Sequence, residues 1–207
     1  MEPLFLSADN TKHFAWYDTQ EVSFGTREDH DAKSIRQHFA IQPFKGRPIK
    51  IQDLASISSN DSLHFAWYFE RIPKGDPEYI LWVSAGPITT LGAKRDWYLS
   101  QLPHGANPDN LLWITSNNKM HFAWFKKGPE LWVGRGVSED LDKHDIHRCQ
   151  LPPEVAIDHI LYMASNDKRH YAFLKNSTCL VGSSDKLDHT RPMARYDLLE
   201  MKDLVKY

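Results

Sequence analysis

Cysteine is scarce in this chain, long apolar runs are missing, and neither sign of charge dominates. The 207 residues include two cysteines, 25 lysines and arginines and 27 aspartates and glutamates, for a formal net charge of −2 at pH 7. Nucleic-acid-binding domains usually carry a basic surplus, so this balance argues against a nucleic-acid partner. No apolar run approaches the ~18 residues of a membrane-spanning helix, so we expect no membrane partner.

The two cysteines, Cys149 and Cys179, both fall in predicted strands. A free thiol in a strand commonly serves as a small core residue, so we expect two buried free thiols. A disulfide is the alternative, if the two strands are adjacent in space. The N-terminus shows no basic stretch followed by a long apolar segment, so no signal peptide is predicted and a cytoplasmic location is expected.

Catalytic and cofactor-binding motifs are missing as well. The chain has no nucleophile elbow, phosphate-binding loop, paired metal-binding cysteines or zinc-protease motif. The segment His144-Asp145-Ile146-His147 carries two imidazoles, but no third ligand stands at a characteristic spacing. The sequence therefore predicts no cofactor and favours a protein that is not an enzyme.

What the chain does contain is one aromatic stretch, His-Phe-Ala-Trp or close to it, written four times. The copies begin at His13, His64, His121 and His170. Each copy follows a polar turn, at Asp9-Asn10, Asn60-Asp61, Asn117-Asn118 and Asn166-Asp167. Asn and Asp suit such turns because their short side chains bond nearby backbone groups. The aromatic stretch favours a strand, so each unit predicts a β-hairpin.

Two further apolar runs follow each hairpin, so the repeat contains about four strands. The histidines are 51, 57 and 49 residues apart, and the spacing counted around the chain ends is 50. Repeats of ~40–50 residues with four strands each are typical of propeller blades. We therefore predict an all-β fold, a β-propeller with four blades of about four antiparallel strands. It forms a single domain, 1–207, with repeats at approximately 1–50, 51–107, 108–155 and 156–207.

The last residues, 203–207, resemble the first strand of a repeat, as residues 53–55 do. Residues 4–6 already fill that role in the first repeat, so the chain holds one first strand more than four blades need. Either the chain ends overlap to close the ring, or the last strand pairs outside the four-blade plan.

The repeated polar residues form two groups of candidate sites. The turns project from one rim and are candidates for binding polar ligands, through Asn60, Asp61, Asn117, Asn118, Asn166 and Asp167. Ordinary turn chemistry is the alternative. A ring of imidazoles from His13, His64, His121 and His170 is a candidate metal site. We favour a structural role, in which each imidazole bonds a backbone group of its own hairpin or the next blade, because these histidines open the second strand and not the axial first strand.

Four tryptophans fall outside the repeat and are candidates for a binding surface. Packing between repeats does not require them, although they could also belong to the core; they are Trp82, Trp97, Trp113 and Trp132. The repeated aromatic residues are instead predicted to pack between blades, where their large apolar area stabilises the fold. These are Trp16, Trp67, Trp124 and Phe173.

The strand order resembles that of two groups of β-propeller binding proteins. The segment Gln150-Leu151-Pro152-Pro153, leading to Ile157-Asp158, is similar to the entry into the inner strand of hemopexin-like domains, which have four blades. The steps Leu81-Trp82 and Leu131-Trp132 are similar to those of tectonin-like and fungal-lectin propellers. The hemopexin-type Asp-Ala-Ala start and the repeated Arg and Glu of fucose-binding propellers are absent. The resemblance implies a propeller that binds a ligand.

The repeat, the unrepeated tryptophans and the missing catalytic motifs together predict a non-catalytic ligand-binding module. Its expected ligand is a carbohydrate, or another polar small ligand, held by aromatic stacking and by Asn or Asp hydrogen bonds. A protein-interaction scaffold is the first alternative, and an enzyme with a site in the central funnel is the second. The fold alone does not choose among the three.

Overall fold

A computed structural model of the chain describes residues 3–26, 35–74, 78–91, 97–137, 141, 145–176, 178–183 and 196–197. These residues form four sheets, each of four antiparallel strands. The sheets are the blades of a four-bladed β-propeller, which confirms the predicted fold class.

In blades 1 and 2 the strands follow one another from the axis outward. Blade 1 consists of β1 (Phe5–Ala8), β2 (Lys12–Trp16), β3 (Glu21–Thr26) and β4 (Ile35–His38). A parallel two-stranded ribbon links the chain after blade 1 to blade 2, and it pairs β5 (Ala40–Ile41) with β9 (Thr90–Leu91). Blade 2 consists of β6 (Leu54–Ser59), β7 (His64–Arg71), β8 (Tyr79–Gly86) and β10 (Tyr98–Ser100).

Blades 3 and 4 repeat this plan. Blade 3 consists of β11 (Leu111–Ser116), β12 (Met120–Lys127), β13 (Glu130–Val137) and β14 (Ile146–Arg148). Blade 4 consists of β15 (Ile160–Ser165), β16 (Arg169–Leu174), β17 (Thr178–Ser183) and β18 (Tyr196–Asp197). Short 3-10 helices, Ile51–Asp53 and Ile157–His159, lead into the inner strands of blades 2 and 4.

The four inner strands surround the axis. Strand β1 contacts β6, β6 contacts β11, β11 contacts β15, and β15 contacts β1. Side chains on the second strand of each blade alternate between the two neighbouring blades, as the two-residue period of a strand requires. The repeated Phe and Trp face the following blade, and the repeated His and Ala face the preceding one.

Three apolar clusters fill three of the four junctions between blades. Phe14 and Trp16 of blade 1 meet Ile57 and Ala66 of blade 2. Equivalent clusters join blades 2 and 3 around Trp67 and blades 3 and 4 around Trp124. All three tryptophans are fully buried, so packing between blades supplies much of the core.

The junction between blades 4 and 1 is packed differently. Leu6 is 39% exposed, whereas its equivalents Ile57, Ile114 and Met163 are at most 2% exposed. Phe173 stands where the first three blades have a buried tryptophan, and it is only half-buried. Among the described residues, no buried apolar cluster joins these two blades. Among the described residues, the two blades therefore meet mainly where β15 contacts β1 beside the axis.

Several other predictions can be compared with the described residues. Cys149 and Cys179 are free and buried, and burial raises the pKa of each thiol to about 12.

Residues 203–207, with their predicted extra strand, lie outside the described residues. Within the described ranges, no helix is both long and apolar enough to cross a membrane. The cytoplasmic location stays a prediction.

Candidate functional site

The first residue of each polar turn holds its own hairpin. The side-chain Oδ1 of Asn60 accepts hydrogen bonds from the backbone N–H groups of Ser62 and Leu63, at 2.9 and 2.8 Å. The same pattern recurs at Asp9, Asn117 and Asn166. A short acceptor side chain at this position closes the turn, which is the ordinary turn chemistry of Asn and Asp. Asn60 and Asn166 are thus engaged within their own blades, whereas Asn117 Nδ2 also donates to the carbonyl of Asn166 in the next blade at 3.2 Å.

The second residue of each turn reaches across to the neighbouring blades. Asn10 Nδ2 donates to Asp61 Oδ2 at 2.7 Å and to Asp167 Oδ2 at 3.2 Å. Asn118 Nδ2 donates to the same two oxygens, at 2.7 and 2.9 Å. Amide and carboxylate alternate around the axis, so each amide donor lies between two carboxylate acceptors. We call these four residues the axial ring.

Backbone groups strengthen the axial ring at three of its four junctions. Asn10 N–H donates to Asp61 Oδ1 at 2.9 Å, Asp61 N–H to Asn118 Oδ1 at 3.2 Å, and Asn118 N–H to Asp167 Oδ1 at 2.9 Å. Burial raises the pKa values of Asp61 and Asp167, but the hydrogen bonds from Asn10 and Asn118 outweigh it and lower both pKa values. Both carboxylates are therefore ionised at neutral pH and are engaged by groups of the ring itself.

Replacing Asp61 by asparagine tests the axial ring. Asp61→Asn puts an N–H₂ group among donors and removes an acceptor, so we expect the melting temperature to fall by about 2–4 °C, equivalent to ~1 kcal/mol in a domain of this size. Thermal unfolding followed by circular dichroism measures the change. Asp109→Asn is the matched control. This exposed carboxylate lies just before β11, whereas the polar turn that contributes to the axial ring follows β11 at its other end. Equal shifts in both variants would contradict a role for the alternating ring.

The repeated histidines are part of hydrogen-bond relays between blades. Trp16 Nε1 donates to Ser7 Oγ at 2.9 Å, the Ser7 and Ser59 hydroxyls are 2.6 Å apart, and Ser59 Oγ is 2.7 Å from His64 Nδ1. The same relay runs from blade 2 to blade 3 and from blade 3 to blade 4, through Trp67, Ser58, Ser116 and His121, and through Trp124, Thr115, Ser165 and His170. Nδ1 thus bonds a serine of its own hairpin, where we expected a backbone group.

Each of these imidazoles also packs against the preceding blade. The His64 ring lies edge-on to Phe14 at 4.6 Å and to Trp16 at 5.1 Å between ring centroids, and His121 and His170 repeat the arrangement. Burial, with a smaller contribution from Lys12, lowers the pKa of His64 to about 4. Within the described ranges, no three His, Cys, Asp or Glu side chains are grouped to hold a metal ion. The structure does not bring the four histidines together.

The axis contains a small cavity lined by hydroxyl groups. Its volume is about 10 Å³, and its lining includes Ser7, Ser58, Ser59, Thr115, Ser116 and Ser165. Most of these hydroxyls already bond each other or the relay tryptophans and histidines. Pockets for small ligands usually measure ~300–1,000 Å³. The central funnel therefore offers little room for a sugar or an enzyme's substrate.

The unrepeated tryptophans lie at three different places. Trp113 is on the inner strand β11 and packs against the cluster between blades 3 and 4. Trp132 is on β13, where its Nε1 donates to Glu130 at 3.1 Å and Lys127 Nζ lies 5.1 Å from its ring centroid. Trp82 and Trp97 come together on blade 2, so only two of the four candidates share one surface.

Four aromatic side chains and one ion pair form the surface around Trp82. Phe44 lies 5.2 Å from Trp82, 5.8 Å from Trp97 and 5.1 Å from Tyr68, measured between ring centroids. Glu70 Oε2 accepts a hydrogen bond from Trp82 Nε1 at 3.0 Å and pairs with Lys45. Phe44 is buried, whereas Tyr68, Trp82 and Trp97 are half-buried. We call the surface formed by Phe44, Lys45, Tyr68, Glu70, Trp82 and Trp97 the blade 2 patch.

The blade 2 patch and the axial ring are well separated. Trp82 pairs with Tyr68, four residues along β7 from His64, where the polar turn enters the strand. At ~3.3 Å per residue, this places Trp82 roughly 13 Å along the blade from the turn end. A single small sugar therefore does not contact both the axial ring and the tryptophans.

Sequence reasoning missed Phe44, Lys45, Tyr68 and Glu70 as members of this surface. Phe44 and Lys45 lie in the connection between blades, which carries no repeated residues. Gly46 was the available signal, because glycine marks a turn in a connecting segment. His147, the candidate chelator that the structure describes, pairs instead with Asp145 at 2.6 Å, and Asp145 also pairs with Arg135; His144 lies outside the described residues.

No known family model matches the chain, and no characterised protein shows significant sequence similarity to it. A structure of KlAtg21 with the coiled coil of AgAtg16 matches 86% of this chain and 51% of its own, at 11% identity and a TM-score of 0.41. Prp20p from Saccharomyces cerevisiae, studied with Gsp1p and histones, matches 86% of this chain and 56% of its own, at 13% identity and a TM-score of 0.37. Yeast RCC1 (Prp20) with bound Kap60 matches 86% of this chain and 55% of its own, at 12% identity and a TM-score of 0.36.

The chain thus spans about half the length of these solved structures. At such low identities and scores, the likeness carries no information about function. The hemopexin-like and tectonin-like resemblances stay expectations.

Proposed function

We propose that this chain is a non-catalytic interaction module that binds a peptide segment of a protein partner at the blade 2 patch. The observation that carries this proposal is the gathering of two unrepeated tryptophans, Trp82 and Trp97, around Phe44 on one half-exposed surface. Tryptophan and tyrosine are enriched at the energetic centres of protein interfaces, because they bury large areas at little cost in side-chain entropy.

The other polar clusters support the proposal by being engaged already. The axial ring bonds its own members, and the relay hydroxyls bond tryptophan and histidine side chains. The axial cavity, at about 10 Å³, is too small for an enclosed ligand. Recognition is therefore expected on an open surface, which suits a peptide segment better than a buried small molecule.

Carbohydrate binding is a second candidate, favoured by the surroundings of Trp132. Its indole is half-buried, and Glu130 and Arg148 form an ion pair at 2.9 Å beside it. A partly exposed indole next to charged hydrogen-bonding groups suits stacking against a sugar ring. The carbohydrate candidate depends on Trp132 and the peptide proposal depends on Trp82, so single substitutions distinguish the two.

The test applies the wild-type chain, Trp82→Ala and Trp132→Ala to an array of varied short peptides and to a glycan array. We expect peptide binding that is lost in Trp82→Ala and retained in Trp132→Ala, with both variants shown to be folded by near-ultraviolet circular dichroism. Glycan binding that depends on Trp132 would replace the proposal with the carbohydrate candidate. Peptide binding unaffected by Trp82→Ala, or no binding of either kind, would overturn it.

A further inference from the structure

The amino group of Lys45 lies in an arrangement of aromatic rings and carboxylate oxygens. Its Nζ is 4.9 Å from the ring centroids of both Phe44 and Trp82. It is also 2.9 and 3.0 Å from the two oxygens of Glu70. Two aromatic faces and a bidentate carboxylate are the groups that stabilise an ammonium ion, by cation–π attraction and by charge-assisted hydrogen bonds.

Interactions within the chain hold this arrangement in place. Trp82 Nε1 donates to Glu70 Oε2 at 3.0 Å and so fixes the indole relative to the carboxylate. Phe44 is 4% exposed and is packed by Tyr68 and Trp97 on its other sides. Trp97 Nε1 donates in turn to the carbonyl of Gln42 at 3.2 Å. The aromatic and acidic groups therefore keep their positions without help from Lys45.

Lys45 is held less firmly than the groups around it. Its side chain is 56% exposed, and an exposed ion pair of this kind contributes little to stability. Lys45 occupies a tight turn closed by two backbone hydrogen bonds of 2.9 Å between Phe44 and Arg47. Its φ of 49° and that of Gly46, 78°, are values that Gly and Asn adopt more readily than lysine. The turn thus does not require the lysine side chain.

We propose that the groups around Lys45 Nζ form a binding site for an alkylammonium group, which a lysine side chain of a peptide partner inserts in place of Lys45. The site comprises Phe44, Trp82 and Glu70, and Lys45 is its internal occupant in the unbound protein. The inference rests on the proposed function, since it names the chemical group that the blade 2 patch recognises. Displacement exchanges one ammonium for another, so affinity is set by the competition with Lys45.

The direct test uses n-butylammonium as the probe and the indole N–H resonance of Trp82 in ¹H–¹⁵N NMR spectra as the readout. Lys45→Gly and Lys45→Asn remove the internal competitor and suit the positive φ, so the turn is retained. We expect each to bind the probe at least roughly fivefold more tightly than the wild-type chain does. Adding Glu70→Gln to Lys45→Gly should abolish most of this gain, because the charged acceptor is lost.

Lys127→Gly is the matched control, because Lys127 lies over Trp132 at 5.1 Å in blade 3 and, within the described part of the chain, has no second aromatic face beside it. This variant should not gain affinity for the probe. Equal gains in Lys45→Gly and Lys127→Gly, or no shift of the Trp82 resonance in either Lys45 variant, would overturn the site.

A second comparison separates this inference from the proposed function. Peptides that bind through Trp82 whether or not they contain lysine would refute the ammonium site while leaving the interaction module intact. Butylammonium binding in Lys45→Gly, together with no peptide binding by any variant, would refute the interaction module and leave the ammonium site supported. Binding only of peptides with an accessible lysine, lost in Trp82→Ala, is the result we expect.

Discussion

Replacing Trp67 with alanine is expected to lower the free energy of unfolding by about 4 kcal/mol, the middle of the range for removing a fully buried aromatic side chain. Trp67 is 0% exposed and lies in the cluster between blades 2 and 3. Its Nε1 donates to Ser58 Oγ at 2.8 Å, and its ring meets the His121 ring at 5.0 Å. Trp67→Ala therefore leaves a cavity and removes a donor from the relay. Equilibrium denaturation with urea measures the loss.

Phe173→Ala is the matched control for this prediction. Phe173 occupies the equivalent position in blade 4, but it is half-buried and faces the junction with blade 1, where no buried apolar cluster forms among the described residues. We expect this variant to lose less than half as much stability as Trp67→Ala. Similar losses in the two variants would show that the junction between blades 4 and 1 is as well packed as the others.

The second large effect is a loss of stability in mild acid, caused by His64. Burial, and to a smaller extent the charge of Lys12, lowers the pKa of His64 from 6.5 to about 4. Between these two pH values the unfolded chain binds a proton that the folded chain does not. The contribution of neutral His64 is therefore fully present above pH 6.5 and is lost as the pH falls toward 4. The expected loss is roughly 3 kcal/mol, at ~1.4 kcal/mol per pKa unit.

His64→Gln isolates this contribution, because glutamine keeps a hydrogen-bonding side chain but does not titrate. Urea denaturation at a series of pH values gives the free energy of unfolding as a function of pH. Between pH 6.5 and 4 this free energy should fall less steeply in the variant than in the wild-type chain. Below that window, protonation of Asp61, Asp145 and Asp167 lowers the free energy of unfolding of both proteins. Burial raises the pKa values of these carboxyl groups, but their hydrogen-bond partners outweigh it and lower them. Identical slopes in the two proteins between pH 6.5 and 4 would contradict the lowered pKa of His64.

Much of the fold could be predicted from the sequence, because a repeated unit reports the same local environment four times. The spacing of the histidines indicated the blades, and the Asn and Asp turns indicated the hairpins that begin them. The burial of Trp16, Trp67 and Trp124 followed from their repetition. Each of these features depends on residues close together in the chain, which is where strand and turn preferences act.

The candidate site was predicted only in part. Trp82 and Trp97 were identified as unrepeated, and their role in binding stays a proposal. Their neighbours Phe44 and Lys45 come from the connection between blades, and no local pattern indicates that this connection folds back onto blade 2. Trp113 and Trp132 share the same sequence signal as Trp82, yet the structure places them in other blades.

Local patterns along the chain were sufficient to predict the repeat, its strands and turns, and the residues that each blade presents to its neighbours. Local patterns did not indicate how the blades complete one another. These features are the alternation of Asn10, Asp61, Asn118 and Asp167 around the axis, the relays through His64, His121 and His170, and, within the described residues, the lack of a buried apolar cluster between blades 4 and 1. This difference follows from the range of the interactions. Turn and strand preferences act over a few residues, whereas these contacts join groups about 50 or more residues apart, whose proximity depends on the closed ring.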